Sequence, residues 1–146
     1  MIEVIKINGK KDLETAWAIR KEVFVREQHC PEEIEWEYEN ESNHFLAFYD
    51  GEPCGTARWR ITNEGIKLER FAVLRNFRNK KVGAYLLKAV LADIPRDAAS
   101  IYLHAQLTAK NFYLRHAFVP VGPNFWEAGI EHVKMALEPA LNMDCW

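Results

Sequence analysis

Cysteine is scarce in this chain of 146 residues. The three that occur, Cys30, Cys54 and Cys145, are far apart, odd in number and without C-x-x-C spacing. That argues against a disulfide framework and against a thiolate zinc site. Reduced thiols and a cytoplasmic setting are the expectation. An excess of one charge is missing too: 19 Lys and Arg stand against 21 Asp and Glu, a formal net charge of −2. Nothing in that balance points to a nucleic-acid partner. No apolar run approaches the roughly 20 residues of a membrane span, and the opening Met1 to Asn8 has neither an apolar signal region nor a cleavage pattern, so no membrane partner is expected. No two histidines have metal-ligand spacing, and no metal is expected. Repeats, low-complexity tracts and dividing linkers are absent as well, so residues 1–146 are expected to form one domain.

Hydrophobic residues are plentiful, at 49% with 12% aromatic, enough for a sizeable core at this length. Ile2 to Ile7 alternates as a strand does. Asp12 is placed to cap a helix running to about Gln28, with Leu13, Ala16, Trp17 and Phe24 on its apolar stripe. Arg20 falls on that same stripe, an unusual place for a charge. Cys30 to Asn43 carries six glutamates and reads mostly as a solvated loop. His44 to Tyr49, Gly55 to Ile61 and Ile66 to Val73 read as three strands joined by Asp50-Gly51 and Asn63-Glu64-Gly65 turns, an antiparallel meander. Val82, Tyr85, Leu86, Ala89 and Val90 recur at helical spacing up to Pro95. A strand over Ile101 to Ala105 and a short helix over Leu107 to His116 follow. Phe118 to Val121 and Ile130 to Leu137 then form a hairpin with a long connection. The order predicts a three-layer α/β/α domain with a mixed, mostly antiparallel central sheet.

The segment with most chemistry runs from Leu68 to Leu87: a strand, a basic turn with Arg75, Arg78, Lys80 and Lys81, then a helix start. The first N–H groups of a helix have no intrahelical partners, and the macrodipole adds roughly half a positive charge there. Gly83 lets a ligand approach the backbone. Such a segment suits a phosphate or pyrophosphate.

Arg78-Asn79-Lys80-Lys81-Val82-Gly83 resembles motif A of the GNAT superfamily, the acyl-CoA-dependent N-acetyltransferases, Gln/Arg-x-x-Gly-x-Gly/Ala. A Lys-Val-Gly version of the turn is like that of the ElaA-like branch. Lys81 stands where the motif has its first glycine. It is expected to keep its N–H toward the phosphates without a strained φ, or to add its ammonium as a contact. Gln106 to Phe118 resembles motif B, Asn-x-x-Ala-x-x-Phe-Tyr-x-x-x-Gly-Phe, with Gln106 for Asn and Ala117 for Gly. Ala117 must then end the helix without glycine, which is tolerable if φ stays negative. The two blocks lie in the family's order and spacing, and the resemblance spans nearly the whole chain.

The resemblance implies acetyl-CoA as co-substrate, bound through Arg78, Asn79, Lys80, Lys81, Val82, Gly83, Ala84 and Asn111, and through the backbone of Phe71, Ala72 and Val73. It implies direct transfer, without a covalent enzyme intermediate, to a primary amine of a small molecule or peptide. Tyr113 would protonate the leaving thiolate, while Phe112 is expected in the core. The amine must lose a proton first, since a lysine-type amine has a pKa near 10.4. Glu69 shares a strand face with Phe71 and Val73 and is a candidate base through a water; a salt bridge to Arg58 or Arg60 is the equal alternative. Arg20-x-x-x-Phe24-x-x-Glu27-Gln28 also has an ElaA-like look, which places Arg20, Phe24 and Glu27 beside the acceptor, with an internal salt bridge as the rival reading. His132 and Glu127 are candidates at the acceptor end, with a histidine that is simply hydrogen-bonded structure as the rival reading, and Trp36, Phe125, Trp126 and Glu127 suit a cationic amine. A homodimer is compatible with the family. Two readings compete with the enzyme: a non-catalytic acyl-CoA sensor, and an interaction domain with a vacant cleft.

Overall fold

The computed structural model describes residues 1–31, 38–98 and 100–138. Trp36 and Cys145 lie outside them. Backbone contacts gather the chain into two compact units, Met1–Arg60 with Glu69–Pro95, and Ile61–Leu68 with Arg96–Trp146.

In the first unit β1 (Ile2–Lys6) lies antiparallel to β2 (Asn43–Tyr49), and β2 antiparallel to β3 (Glu52–Thr62). The neighbour of β3 is β4 (Gly65–Val73), which enters this unit at Glu69. Alternation along β3 sends successive side chains to opposite faces. On one face Trp59 Nε1 donates to Asp93 of α2 (Val82–Asp93) at 2.9 Å. A Cβ on Gly55 would stand 3.1 Å from Val82 and Leu86, so the helix rides directly on the strand. α2 buries Val82, Leu86, Leu87 and Val90, whereas Tyr85, placed on the apolar stripe by its spacing, is half exposed. The opposite face carries Arg58 and is served by α1 (Lys10–Arg20), which buries Ala16, Ile19 and Arg20. Helix, sheet and helix give this unit the expected three layers.

The first helix departs from its expected bounds. Gly9, extended at φ −151°, is the N-cap, and Asp12 sits in the first turn, where its charge still favours the helix dipole. After Arg20 the backbone widens into a π-helical turn, Lys21–Glu27. Its i→i−5 bond from Gln28 N–H to the Val23 carbonyl is 3.2 Å long. Cys30 and Cys54 are buried, and burial pushes the Cys54 thiol up to about 11.

In the second unit Ile66–Leu68 of β4 pairs parallel with β5 (Ile101–Gln106). β8 (Ile130–Leu137) lies antiparallel to β5 and to β6 (Phe118–Pro120). Gly65 has φ 130°, and a Cβ there would stand 2.6 Å from the Ser100 carbonyl. Only glycine permits that approach, which brings Ile66 N–H to the same carbonyl at 2.8 Å and starts the parallel pairing. The expected helix over 107–116 is shorter: a 3-10 turn, Leu107–Ala109, leads into α3 (Lys110–Leu114). The connection before β8 contains a further strand, β7 (Phe125–Glu127), folded onto β8 through Ala128 and Gly129. Both turn residues have positive φ, 53° and 77°, the signature of a tight hairpin that three strand residues are too few to announce by alternation. The sheet is thus mixed and mostly antiparallel.

Candidate functional site

The chemistry-bearing residues fall into a group in each unit. In the first unit the stretch after β4 begins with Leu74 N–H bound to the Cys54 carbonyl at 2.9 Å and a 3-10 turn, Arg75–Phe77. Arg78 Nε donates back to the Val73 carbonyl at 2.8 Å. Its Nη2 donates to Glu27 at 2.9 Å, while Arg75 meets the other Glu27 oxygen at 3.5 Å. The hydrogen bond from Arg78, more than any other influence, holds the Glu27 carboxyl below the ordinary range. The π-helical turn thus delivers Glu27 to the basic loop. Arg78 braces the end of β4, where Phe71, Ala72 and Val73 lie.

Lys81 is the N-cap of α2, and its backbone is left-handed, φ 72° and ψ 12°. This corrects the expectation of an unstrained lysine: the position wants the glycine that motif A prescribes. Asn79 is left-handed as well, φ 63°. Among the described residues no side chain caps α2, so the helix-start N–H groups of Val82, Gly83 and Ala84 have no capping acceptor. Lys80 and Lys81 are exposed beside them.

The same unit holds a buried ion network. Arg20 and Arg58 are each 1% exposed. Arg20 grips Glu39 with two nitrogens, at 2.9 and 3.1 Å, Arg58 reaches the same carboxylate at 3.0 Å, and Trp17 Nε1 adds a short hydrogen bond. Burial pushes the Glu39 carboxyl up, but the bonds from Arg20 and Trp17 outweigh it and hold the group below its ordinary range. Glu39 is therefore no solvated loop residue, a correction to the reading of that run. Arg58 also donates to Glu69 at 2.9 and 3.2 Å, and Arg60 joins it. Glu69 thus makes the salt bridges weighed against its role as a base. Arg20 and Glu27 make internal pairs too, and Phe24 is buried with the Arg70 guanidinium 5.8 Å from its ring. His44 Nε2 donates to the Glu39 carbonyl at 3.0 Å, and burial lowers its pKa.

In the second unit Asn111 is exposed and Tyr113 is 7% exposed, set edge-on to Phe112 and Phe118 with ring centres 5.0 and 5.8 Å away. Tyr113 is the more buried of the pair, while Phe112, expected in the core, is only partly buried; burial raises the Tyr113 phenol pKa. Ala117, at φ 71°, ends the segment in the left-handed region rather than at negative φ, so this motif glycine position too demands a glycine-like backbone.

β7 and β8 assemble a second cluster. His132 Nδ1 donates to the Ile130 carbonyl at 2.7 Å, and its Nε2 stands 4.0 Å from Glu127 Oε1. His104 Nδ1 is 3.5 Å from Glu127 Oε2, at the limit of hydrogen-bond reach. The Phe125 ring stacks on His132 and meets His104 edge-on, centres 5.7 and 4.9 Å apart. The His104 contact, ahead of the charge of Lys67, holds the Glu127 carboxyl down at about 2 despite burial. His104 was not singled out from sequence. Its link to Glu127 passes through β7, and without that strand nothing in the spacing joins them. Among the described residues no group of three His, Cys, Asp or Glu side chains is arranged to hold a metal ion.

Comparison with known proteins gives a family model described as an acetyltransferase (GNAT) domain, matching residues 8–139. The chain is 40% identical over 139 residues to the uncharacterized N-acetyltransferase YjcF of Bacillus subtilis, covering 92% of this chain and 98% of that protein. It is 31% identical over 127 residues to protein ElaA of Escherichia coli, covering 82% and 83%. The crystal structure of Escherichia coli ElaA superposes with a TM-score of 0.80 at 27% identity, covering 94% of this chain and 100% of the other. That of an acyl-CoA N-acyltransferase from Pseudomonas aeruginosa superposes at 0.81 and 26%, covering 94% and 100%.

Proposed function

The chain belongs to the GNAT acetyltransferase family, in its ElaA-like branch, and on that premise we propose that it moves an acetyl group from acetyl-CoA directly to a primary amine of a small molecule or peptide. The family supports acyl-CoA-dependent N-acyl transfer in general; acetyl as the group, and a free amine as its destination, are our reading. The observation that carries it is the uncapped start of α2 behind an exposed lysine pair. Left-handed Asn79 and Lys81 turn the chain so tightly there that consecutive backbone N–H groups can share one anion, the pyrophosphate.

The roles follow from the chemistry. Val82, Gly83 and Ala84 bind the pyrophosphate through backbone N–H groups, with Lys80 and Lys81 beside it. Arg78 holds the loop to Val73 and Glu27, so its contribution is to geometry more than to charge. The backbone of Phe71, Ala72 and Val73 receives the pantetheine and the carbonyl oxygen that gains charge in the tetrahedral intermediate. Tyr113, a phenol kept protonated by burial, supplies the proton for the leaving thiolate. Glu69, a candidate base from its strand face, is instead engaged by Arg58 and Arg60, and those bonds oppose its taking a proton from the amine. With Arg20, Phe24 and Glu27 engaged internally, Glu127 and His132 are the acceptor contacts we propose.

Calorimetric titration of the full chain with acetyl-CoA tests the reading. Binding is expected in the micromolar range, weakened at least tenfold in the Lys80→Ala, Lys81→Ala double variant. A chain that binds no CoA species would overturn the enzyme reading and the sensor alternative together.

A further inference from the structure

A primary amine near neutral pH is an ammonium ion and cannot attack a thioester until a proton leaves it. The cluster on β5, β7 and β8 has the parts to take that proton. The Ile130 carbonyl can only accept, so the hydrogen of the neutral His132 ring is on Nδ1 and the lone pair is on Nε2. That lone pair faces Glu127 Oε1, another acceptor, across 4.0 Å. Two acceptors opposed in this way hold a place for a donor. An ammonium nitrogen about 2.8 Å from each would donate one hydrogen to each.

The backbone sets this spacing. Glu127 and Ile130 are register partners on either side of the Ala128-Gly129 turn, and Phe125 pairs with His132 and packs on its ring. Behind the carboxylate, His104 meets the second oxygen. The Glu127 side chain is 49% exposed, open to a ligand, whereas that of His132 is only 9% exposed, out of bulk water. We propose that His132 is the base that deprotonates the acceptor ammonium, that Glu127 seats the ammonium and then pairs with the imidazolium, and that His104 is a positioning residue for Glu127. This rests on the acetyl-transfer reading above.

The step balances. The ammonium gives one proton to His132 Nε2, and the freed amine forms the C–N bond. The tetrahedral intermediate collapses with loss of the C–S bond, and the second nitrogen-bound proton goes to the thiolate by way of Tyr113. The imidazolium then loses its proton to solvent. Among the described residues, the charged groups that bear on the cluster are Lys67 on β4, Glu64 in the turn before it, and Lys134 on β8, paired with Glu64. Lys67 opposes protonation of the cluster and Glu127 favours it.

The test has two arms on the full chain, with n-butylamine as the probe amine. In imidazole NMR at pH 7, the amine is expected to shift the His132 resonance saturably; Glu127→Gln should abolish the shift and His104→Gln weaken it. An unmoved His132 resonance, or a shift undiminished in Glu127→Gln, would overturn the assignment whether or not the protein turns over. In acetyl transfer, His132→Gln should lower kcat about 100-fold or more, remove the acid limb of the pH–rate profile and leave the KM for acetyl-CoA in place. His104→Gln should displace that limb, and Glu69→Gln should keep it. A limb that survives in His132→Gln and is lost in Glu69→Gln gives the role to Glu69 instead. Failure of acetyl-CoA to bind would remove the acetyl-transfer reading, and the NMR arm still decides the amine seat.

Discussion

Lys81 and Ala117 occupy the two positions where the family motifs have glycine, and both have positive φ. A side chain in the left-handed region meets its own backbone and costs about 1 kcal/mol relative to glycine. Lys81→Gly and Ala117→Gly are therefore each expected to raise the unfolding free energy by ~1 kcal/mol, less any gain in unfolded-chain entropy. Urea denaturation at constant m-value would show it. Retention of lysine at a strained position fits a charge that serves a ligand: Lys81→Gly should stabilise the fold yet weaken acetyl-CoA binding. For Tyr113 the expectation concerns chemistry alone. Tyr113→Phe keeps the edge-on ring packing with Phe112 and Phe118. It should lower kcat by 10- to 100-fold while the acetyl-CoA Kd stays within twofold, measured by calorimetry beside steady-state kinetics. Equal turnover would remove its acid role.

Among the elements, those with a long, clean period were legible from residues alone. The i, i+3, i+4 spacing of α2 and the β2–β3–β4 meander with its Asp-Gly and Asn-Glu-Gly turns stand within a residue or two of where pattern placed them, except that β3 starts at Glu52, three residues before Gly55. Elements held by tertiary partners were not. The π-helical turn Lys21–Glu27 has the composition of any helix, and its widened ring shows only in the backbone. β7 is three residues long. Glu39 looked like one more loop glutamate, since nothing local says that Arg20 and Arg58 converge on it from separate elements. Motif residues were the most legible part of the site, and the His104–Glu127–His132 grouping the least, because a strand pairing creates it. The buried network also has a measurable weight. Glu39→Gln leaves Arg20 and Arg58 short of a counter-charge in the interior and is expected to cost about 3–5 kcal/mol. Chemical denaturation would measure it, and a loss under 1 kcal/mol would mean that water replaces the carboxylate.

For the molecule as a whole, these groups fix the sign of its response to acid. Glu39 and Glu127 titrate below the ordinary carboxylate range when folded. Their stabilisation is complete above about pH 4.3 and is lost as pH falls, down to about 2 for Glu127. His44, lowered by burial, acts in the same direction from higher up: below about pH 6.5 the unfolded chain takes up a proton that the folded one declines. Stability should therefore rise with pH from about 2 to about 6.5 and then level off. Urea midpoints at pH 4.0, 5.5 and 7.5 should increase in that order; a midpoint higher at pH 4.0 than at 7.5 would contradict the described ion pairs.

Cys54 matters for how such a protein can be assayed. Every acyl transfer from coenzyme A releases a thiol, and a disulfide indicator that colours on reaction with thiolate is a direct way to count turnovers. Such reagents consume thiolates in proportion to their exposure and ionisation. With its thiol raised to about 11 and no surface open to water, Cys54 is dark to the indicator at neutral pH, and Cys30 is shielded by burial. Neither core cysteine contributes to the blank, so colour above a one-time background reports product.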